Sequence, residues 1–243
     1  MPSGERLLLA IDTSTEIAGL SLYDGDLISE VNWNAGRSQT RTIVDQLRNL
    51  LAVNQCRLSG IGAIAVAIGP GSFNGLRVGL SLAKGLSYGL ELPIFGVVTL
   101  DLVAYPHARS RTPIRAVVRA GRDRVVYADY QHRHGRWERS SEMLNRTLEE
   151  LTMSLPNRVL VAGELDQRQV AALEQDARVV LPSPALRVRR PSYLAEIGFE
   201  RWQAGEADAL DRLEPIYIHG IPPSRARSED ASETVERSLQ ASR

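Results

Sequence analysis

The chain has 243 residues, a mass of 26.8 kDa and a formal net charge of zero, with 43% hydrophobic and 24% charged residues. That supports one large domain or two small ones, excludes disorder as the main state, and argues against a nucleic-acid binder held by a strong global field. No apolar run reaches the ~18 residues of a membrane span; the N-terminus lacks a signal-peptide pattern; and the single cysteine, Cys56, excludes an internal disulfide, so the expectation is a reducing cytoplasm.

Residues 7–12 form an apolar run of strand length, and residues 17–23 form a second. Asp24-Gly25-Asp26 is a hairpin turn, and a third strand follows at about 27–33. From 38 to 53, Ile43, Val44, Leu47, Leu50 and Leu51 share one helical stripe. Residues 61–68 are apolar throughout, as in a strand buried on both faces. Gly69-Pro70-Gly71-Ser72 breaks that run, and the pattern predicts a helix over 73–90. A strand over 94–98 follows, with Thr99 as N-cap of a short helix reaching Tyr105. Prolines 106 and 113 suggest a boundary, giving lobes at 1–106 and 107–220. In the second, the patterning predicts strands at 114–119, 124–131 and 135–139, and a helix at 144–154. A strand at 158–162, a helix at 165–175, a strand at 177–181 and a helix at 191–204 complete it. Residues 221–243 lack core-forming content and read as a mobile tail. Three antiparallel strands followed by helix-linked parallel ones give a mixed sheet with helices on its faces.

Two segments could carry chemistry. Asp12-Thr13-Ser14-Thr15 ends the first strand. A carboxylate there, beside hydroxyls and backbone N–H groups, can hold phosphate and hydrated Mg²⁺, or can simply close an Asx turn. Gly69 to Arg77 joins a buried strand to a helix N-terminus, where anions are favoured. It fits neither the Walker A nor the Rossmann spacing. On the helix after it, the apolar arc spans roughly 220°, wider than the ~100° stripe of a one-sided helix. Gly75, Gly79, Ala83 and Ser87 recur every fourth residue. One side of this helix can cover its own sheet; the other needs a second cover from this chain or a partner. None of the four histidines makes a helix-spaced pair; His132 and His134 share a strand face and form a weak metal candidate. Residues 101–150 carry ten arginines against seven acids, and Arg187, Arg189 and Arg190 cluster later, a basic or merely solvated face.

Two stretches carry a family resemblance: Leu9 to Thr15, and Gly69-Pro70-Gly71-Ser72-Phe73-Asn74-Gly75-Leu76-Arg77 continuing to Leu86. They closely resemble the bacterial TsaB (YeaZ) family of tRNA N6-threonylcarbamoyladenosine (t6A37) biosynthesis. Glu214-Pro215-Ile216-Tyr217 resembles the family's C-terminal signature. Asn74 stands where threonine is usual, and Arg37-Ser38 where histidine-serine is common. The resemblance implies an α/β fold of two actin-like (ASKHA, RNase H-like) lobes, each a mixed sheet flanked by helices. It implies a non-catalytic subunit that pairs with and activates the catalytic subunit TsaD, joined by the ATPase TsaE. TsaD transfers a threonylcarbamoyl group to adenosine in tRNAs that read ANN codons. By resemblance, Phe73, Leu76, Arg77, Leu80, Ala83 and Leu86, with Leu47 on the neighbouring helix, form the partner interface. Asp12, Thr13 and Ser14 become a vestigial nucleotide site. A homodimer in the absence of TsaD, ATP or ADP with Mg at the level of the complex, tRNA reached only through the complex, and no membrane contact complete the expectation.

The rival readings are an ASKHA phosphotransferase or nucleotide hydrolase using Asp12, a peptidase, and direct tRNA binding by the arginine-rich second lobe.

Overall fold

The computed structural model describes residues 6–36, 38–121, 123–133 and 136–218. The stretch expected to be a tail, 221–243, lies outside them, as do His134 and His219. The first sheet contains β1 (Leu7–Asp12), β2 (Ile17–Tyr23), β3 (Leu27–Asn34), β4 (Ile61–Gly69) and β5 (Ile94–Val98), in the order β3-β2-β1-β4-β5. The first three are antiparallel, with Leu9 opposite Leu22 and Ile11 opposite Leu20. β4 and β5 are parallel to β1 and to each other, because α1 (Gln39–Val53) and α2 (Phe73–Leu90) carry the chain back across the sheet. The central strands β1 and β4 are buried on both faces, as the uninterrupted apolar runs require.

The two faces have different covers. On one, Leu47 and Leu50 of α1 and Leu80 and Ala83 of α2 meet Leu9, Ile11, Leu20, Ile64 and Val66. On the other, Leu194 and Ala195 of α6 (Pro191–Gln203) meet Leu8, Ala10, Ala63, Ala65 and Phe95. Each fully buried side chain of this size contributes about 1.5–3 kcal/mol, so both layers are needed. The expected boundary therefore needs correction. Residues 191–216 pack on the first sheet rather than the second: α6 covers one face, and the following strap bonds to the edge strand β5 and to the end of β4. Asp208 N–H donates to Ile94 O at 2.9 Å and Ile216 N–H to Ile68 O at 2.7 Å.

The second sheet runs β11-β10-β6-β7-β8, with β9 also on β7. Its strands are β6 (Ile114–Arg119), β7 (Arg124–Arg133), β8 (Arg136–Arg139), β9 (Leu144–Thr147), β10 (Val159–Gly163) and β11 (Val179–Val180). β6, β10 and β11 are parallel, and the rest pair antiparallel. Helices α4 (Leu148–Met153) and α5 (Gln167–Glu174) supply Leu151 and Leu173 to one side of its core. α3 (Thr99–Ala104) supplies Leu100, Val103 and Ala104 to the other. Two mixed sheets flanked by helices result, as the actin-like resemblance implies.

Two local expectations change. Residues 144–147 form a strand, not the first turn of a helix. Thr147 is the N-cap of α4 in a reciprocal capping box with Glu150, which fixes the helix start at 148. Thr99 lies inside α3, whose N-cap is Val98, and its buried hydroxyl has no hydrogen-bond partner among the described residues.

Candidate functional site

The end of β1 turns at residues 12–15, which are almost fully buried. Ser14 folds back on Asp12: its amide and hydroxyl donate to Asp12 Oδ1 at 2.9 and 2.6 Å, closing an Asx turn. The turn is sewn to the start of α2. Thr13 donates to Gly75 O at 2.7 Å, and Ser72 N–H donates to Ser14 O at 2.6 Å. Gly79 allows this approach, since a Cβ there would collide with Thr13 Oγ1.

The other carboxylate oxygen of Asp12 is also taken. Arg189, on the segment between β11 and α6, is 4% exposed. Its Nε donates to Asp12 Oδ2 at 2.8 Å. Its Nη1 donates to Glu164 Oε1 at 2.6 Å, and its Nη2 to Thr15 Oγ1 at 2.9 Å and Ile17 O at 3.1 Å. Thr15 in turn donates to Glu164 Oε2 at 2.6 Å. Glu164 follows β10, aimed by Gly163, whose φ of +138° and close approach to Val117 O admit no side chain. Burial disfavours the guanidinium charge. Asp12 and Glu164 outweigh burial and hold its pKa above the usual arginine value.

A cleft of about 600 Å³ opens above this cluster, lined in part by Thr15, Glu16, Ser72, Phe73, Arg119 and Glu164. Its floor is polar but occupied. Among the described residues no group of three metal-ligating side chains comes together, and the His132 ring bonds to Ala108 O instead. Sequence reasoning picked out Asp12, Thr13 and Ser14 and missed Arg189 and Glu164 as their partners. It had noted the arginine cluster at 187–190, but not its direction.

The residues expected at the partner interface separate into two groups. Leu47, Leu76, Leu80 and Ala83 are buried in the chain's own core and present no surface. The reason is that the wide apolar arc of α2 finds its second cover within the chain. α1 packs along one flank, and Leu210 and Leu213 of the strap join the same core. Lys84 Nζ donates to Leu213 O at 3.1 Å, tying the strap to α2. Phe73 and Arg77 are exposed and Leu86 is half-buried. Phe73 is 54% exposed, with Tyr217 5.0 Å from its ring centre and the Arg77 guanidinium over it at 5.2 Å. Further along the same outer face Tyr88 is 80% exposed, and Gly85 and Gly89 face open space.

Comparison with known proteins agrees with this architecture. The sequence profile of TsaD, tRNA N6-adenosine threonylcarbamoyltransferase, matches residues 33–193. The tRNA threonylcarbamoyladenosine biosynthesis protein TsaB of Escherichia coli is 27% identical over 87% of this chain and 94% of its own length. That of Bacillus subtilis is 28% identical over 92% and 95%. The structure of YeaZ from Pseudomonas aeruginosa superposes with a TM-score of 0.72 at 25% identity, covering 88% of this chain and all of that one. With a profile matched across more than half its length, the chain belongs to the TsaD family, and the relatives it resembles along nearly its whole length are TsaB proteins.

Proposed function

We propose that this chain is a non-catalytic subunit of the t6A37 threonylcarbamoyl-transfer machinery, pairing with and activating the catalytic subunit TsaD, with the ATPase TsaE joining the pair. Its similarity to proteins named for threonylcarbamoyladenosine biosynthesis gives the process. The observation that carries the non-catalytic role is the state of Asp12. Both carboxylate oxygens are engaged, one by Ser14 and one by a buried guanidinium. A carboxylate so placed is already neutralised by a buried guanidinium, and a metal cation brought beside it meets the charge of Arg189 first.

Pairing is assigned to the outer face of α2: Phe73 and Arg77, with Gly85 and Gly89 allowing a partner's backbone to come close, while Leu86, expected there too, lies on the opposite flank against the chain's own core. tRNA is reached through the complex, and ATP or ADP with Mg acts at that level. In the absence of TsaD the same face pairs with a second copy of the chain.

The test is the mass in solution of the chain by itself and with TsaD from the same organism. Gly85→Arg is the informative variant, because it fills an exposed position. Leu80→Asp would instead place a charge in the chain's own core and unfold it. A heterodimer formed by the wild type and lost in Gly85→Arg supports the reading. A folded wild type that stays unpaired with TsaD and shows Mg-dependent ATP turnover abolished by Asp12→Ala sinks it, in favour of a phosphotransferase.

A further inference from the structure

Among the described residues the two lobes are joined by three passes of chain, at 98–114, 180–191 and 216–218. Arg189 lies on the second, just before α6 turns onto the first sheet. One end of its guanidinium holds Asp12, at the end of β1 in the first lobe; the other holds Glu164, after β10 in the second. Thr15 closes the ring by bonding to both Arg189 and Glu164. The geometry points to a function for this cluster: Arg189 is a resident ligand of the interlobe cleft, a cation supplied by the chain itself that fixes the lobes at one spacing without a bound nucleotide or metal.

Three observations carry this. The Arg189 and Asp12 side chains are only 2% and 3% exposed, so the pair is shielded from water and salt. The contacts come from both lobes, Asp12, Thr15 and Ile17 on one segment of the first and Glu164 in the second, so opening the cleft must break the bonds of Arg189 and Thr15 to the Glu164 carboxylate together or pull Arg189 off Asp12. The guanidinium also fits the task by shape. Its planar fork reaches two carboxylates in different directions, which a lysine ammonium at the same position could not reproduce. On the side away from the cleft, Leu102, Val103 and Tyr193 pack around the same segment and leave a void of only about 10 Å³.

The experiment measures the spacing of the lobes. In a Cys56→Ser background, spin labels are placed at Asn49→Cys on α1 and Ala171→Cys on α5, both exposed, and distances are read by pulsed electron resonance. The wild type should give one narrow distribution, unchanged by Mg-ATP and by high salt. Arg189→Met should broaden it, while circular dichroism still reports intact sheets. Arg189→Met combined with Asp12→Asn and Glu164→Gln removes every charge of the cluster and should broaden it too. Glu164→Gln, at the more exposed end, is the milder variant if the others fail to fold, and should widen the distribution to a smaller degree.

Variants that keep the wild-type distribution would overturn the inference, since the lobes would then be held by the remaining contacts. A triple variant as narrow as the wild type, with only Arg189→Met broadened, would also overturn it. That pattern would mean that the arginine merely relieves repulsion between two carboxylates. A wild type whose distribution shifts on adding Mg-ATP would show a cleft still governed by an external ligand.

Discussion

The floor of the interlobe cleft and the outer face of α2 meet at the same few residues, 72–79, yet they use their chemistry in opposite ways. On the floor, Asp12, Ser14, Thr15, Glu164 and Arg189 satisfy one another across lobes. On the outer face, Phe73 and Tyr88 stand largely exposed, and two glycines border open space. The charged groups of the floor are bonded to one another, whereas an apolar, small-residue face offers area and close approach. The contrast is between a polar cluster that satisfies itself and an apolar face that stays open to solvent.

The sharpest way to break the comparison is Arg189→Met. It leaves Asp12 and Glu164 without their cation in a shielded place, and removing one partner of such a pair costs about 3–5 kcal/mol. Urea unfolding should show that loss; a change below about 1 kcal/mol would mean the floor is solvated rather than filled. Next come two identical substitutions on one helix. Gly79→Ala drives a methyl into Thr13 and should destabilise by about 1–3 kcal/mol. Gly85→Ala meets nothing and should stabilise by about 0.4–1 kcal/mol. Equal effects of one sign would erase the distinction between the inner and outer faces of α2.

Those two glycines also show where sequence reading stops. The fourfold spacing of Gly75, Gly79, Ala83 and Ser87 was visible, and the helix and its neighbouring strands were placed closely, because one uninterrupted apolar run and one stripe define each of them. What covers each face was not visible. The stripe of α6 says that it packs, but not that it packs on the first sheet. The strap that closes over α2 through Leu210, Leu213 and Lys84 has no periodicity at all. For the same reason Leu76, Leu80 and Ala83 read as interface and fold as core. Arg189 meets Asp12 across the length of the molecule, and no local pattern encodes that pairing. The strand at 144–147 was a different kind of miss. Thr147 and Glu150 spell a capping box, a local signal that marks where α4 begins.

Gly85→Arg sharpens the comparison from the other side. It should leave the fold intact and, like Gly85→Ala, raise stability by up to about 1 kcal/mol, because a good helix former replaces glycine at a position that touches nothing. It should nevertheless remove association with TsaD on a sizing column with light scattering. Loss of both together would return the outer face to a structural role.

The smallest effect lies at the seam between the lobes. His107 is buried, and burial lowers its pKa from 6.5, partly offset by a hydrogen bond to the Leu186 backbone. A depressed histidine favours the neutral form in the fold, so its contribution is intact above pH 6.5 and is lost as pH falls through the lowered value. The slope is at most about 1.4 kcal/mol per pH unit. His107→Leu should flatten the acid side of the stability profile below pH 6.5; an unchanged profile would place the titration elsewhere.

The placement of α6 has a consequence for how the molecule is made. A ribosome releases β1 long before α6, yet Leu8 and Leu194 belong to one core. Until residues 191–203 emerge, one whole face of the first sheet has no cover. Leu8, Ala10, Ala63, Ala65 and Phe95 are then held exposed while the entire second lobe is synthesised. Contacts of such long sequence separation slow folding and lengthen the time in which that face can meet another nascent chain. The first lobe thus waits for α6, and a nascent chain stalled before residue 191 would be a client for chaperones rather than a finished lobe.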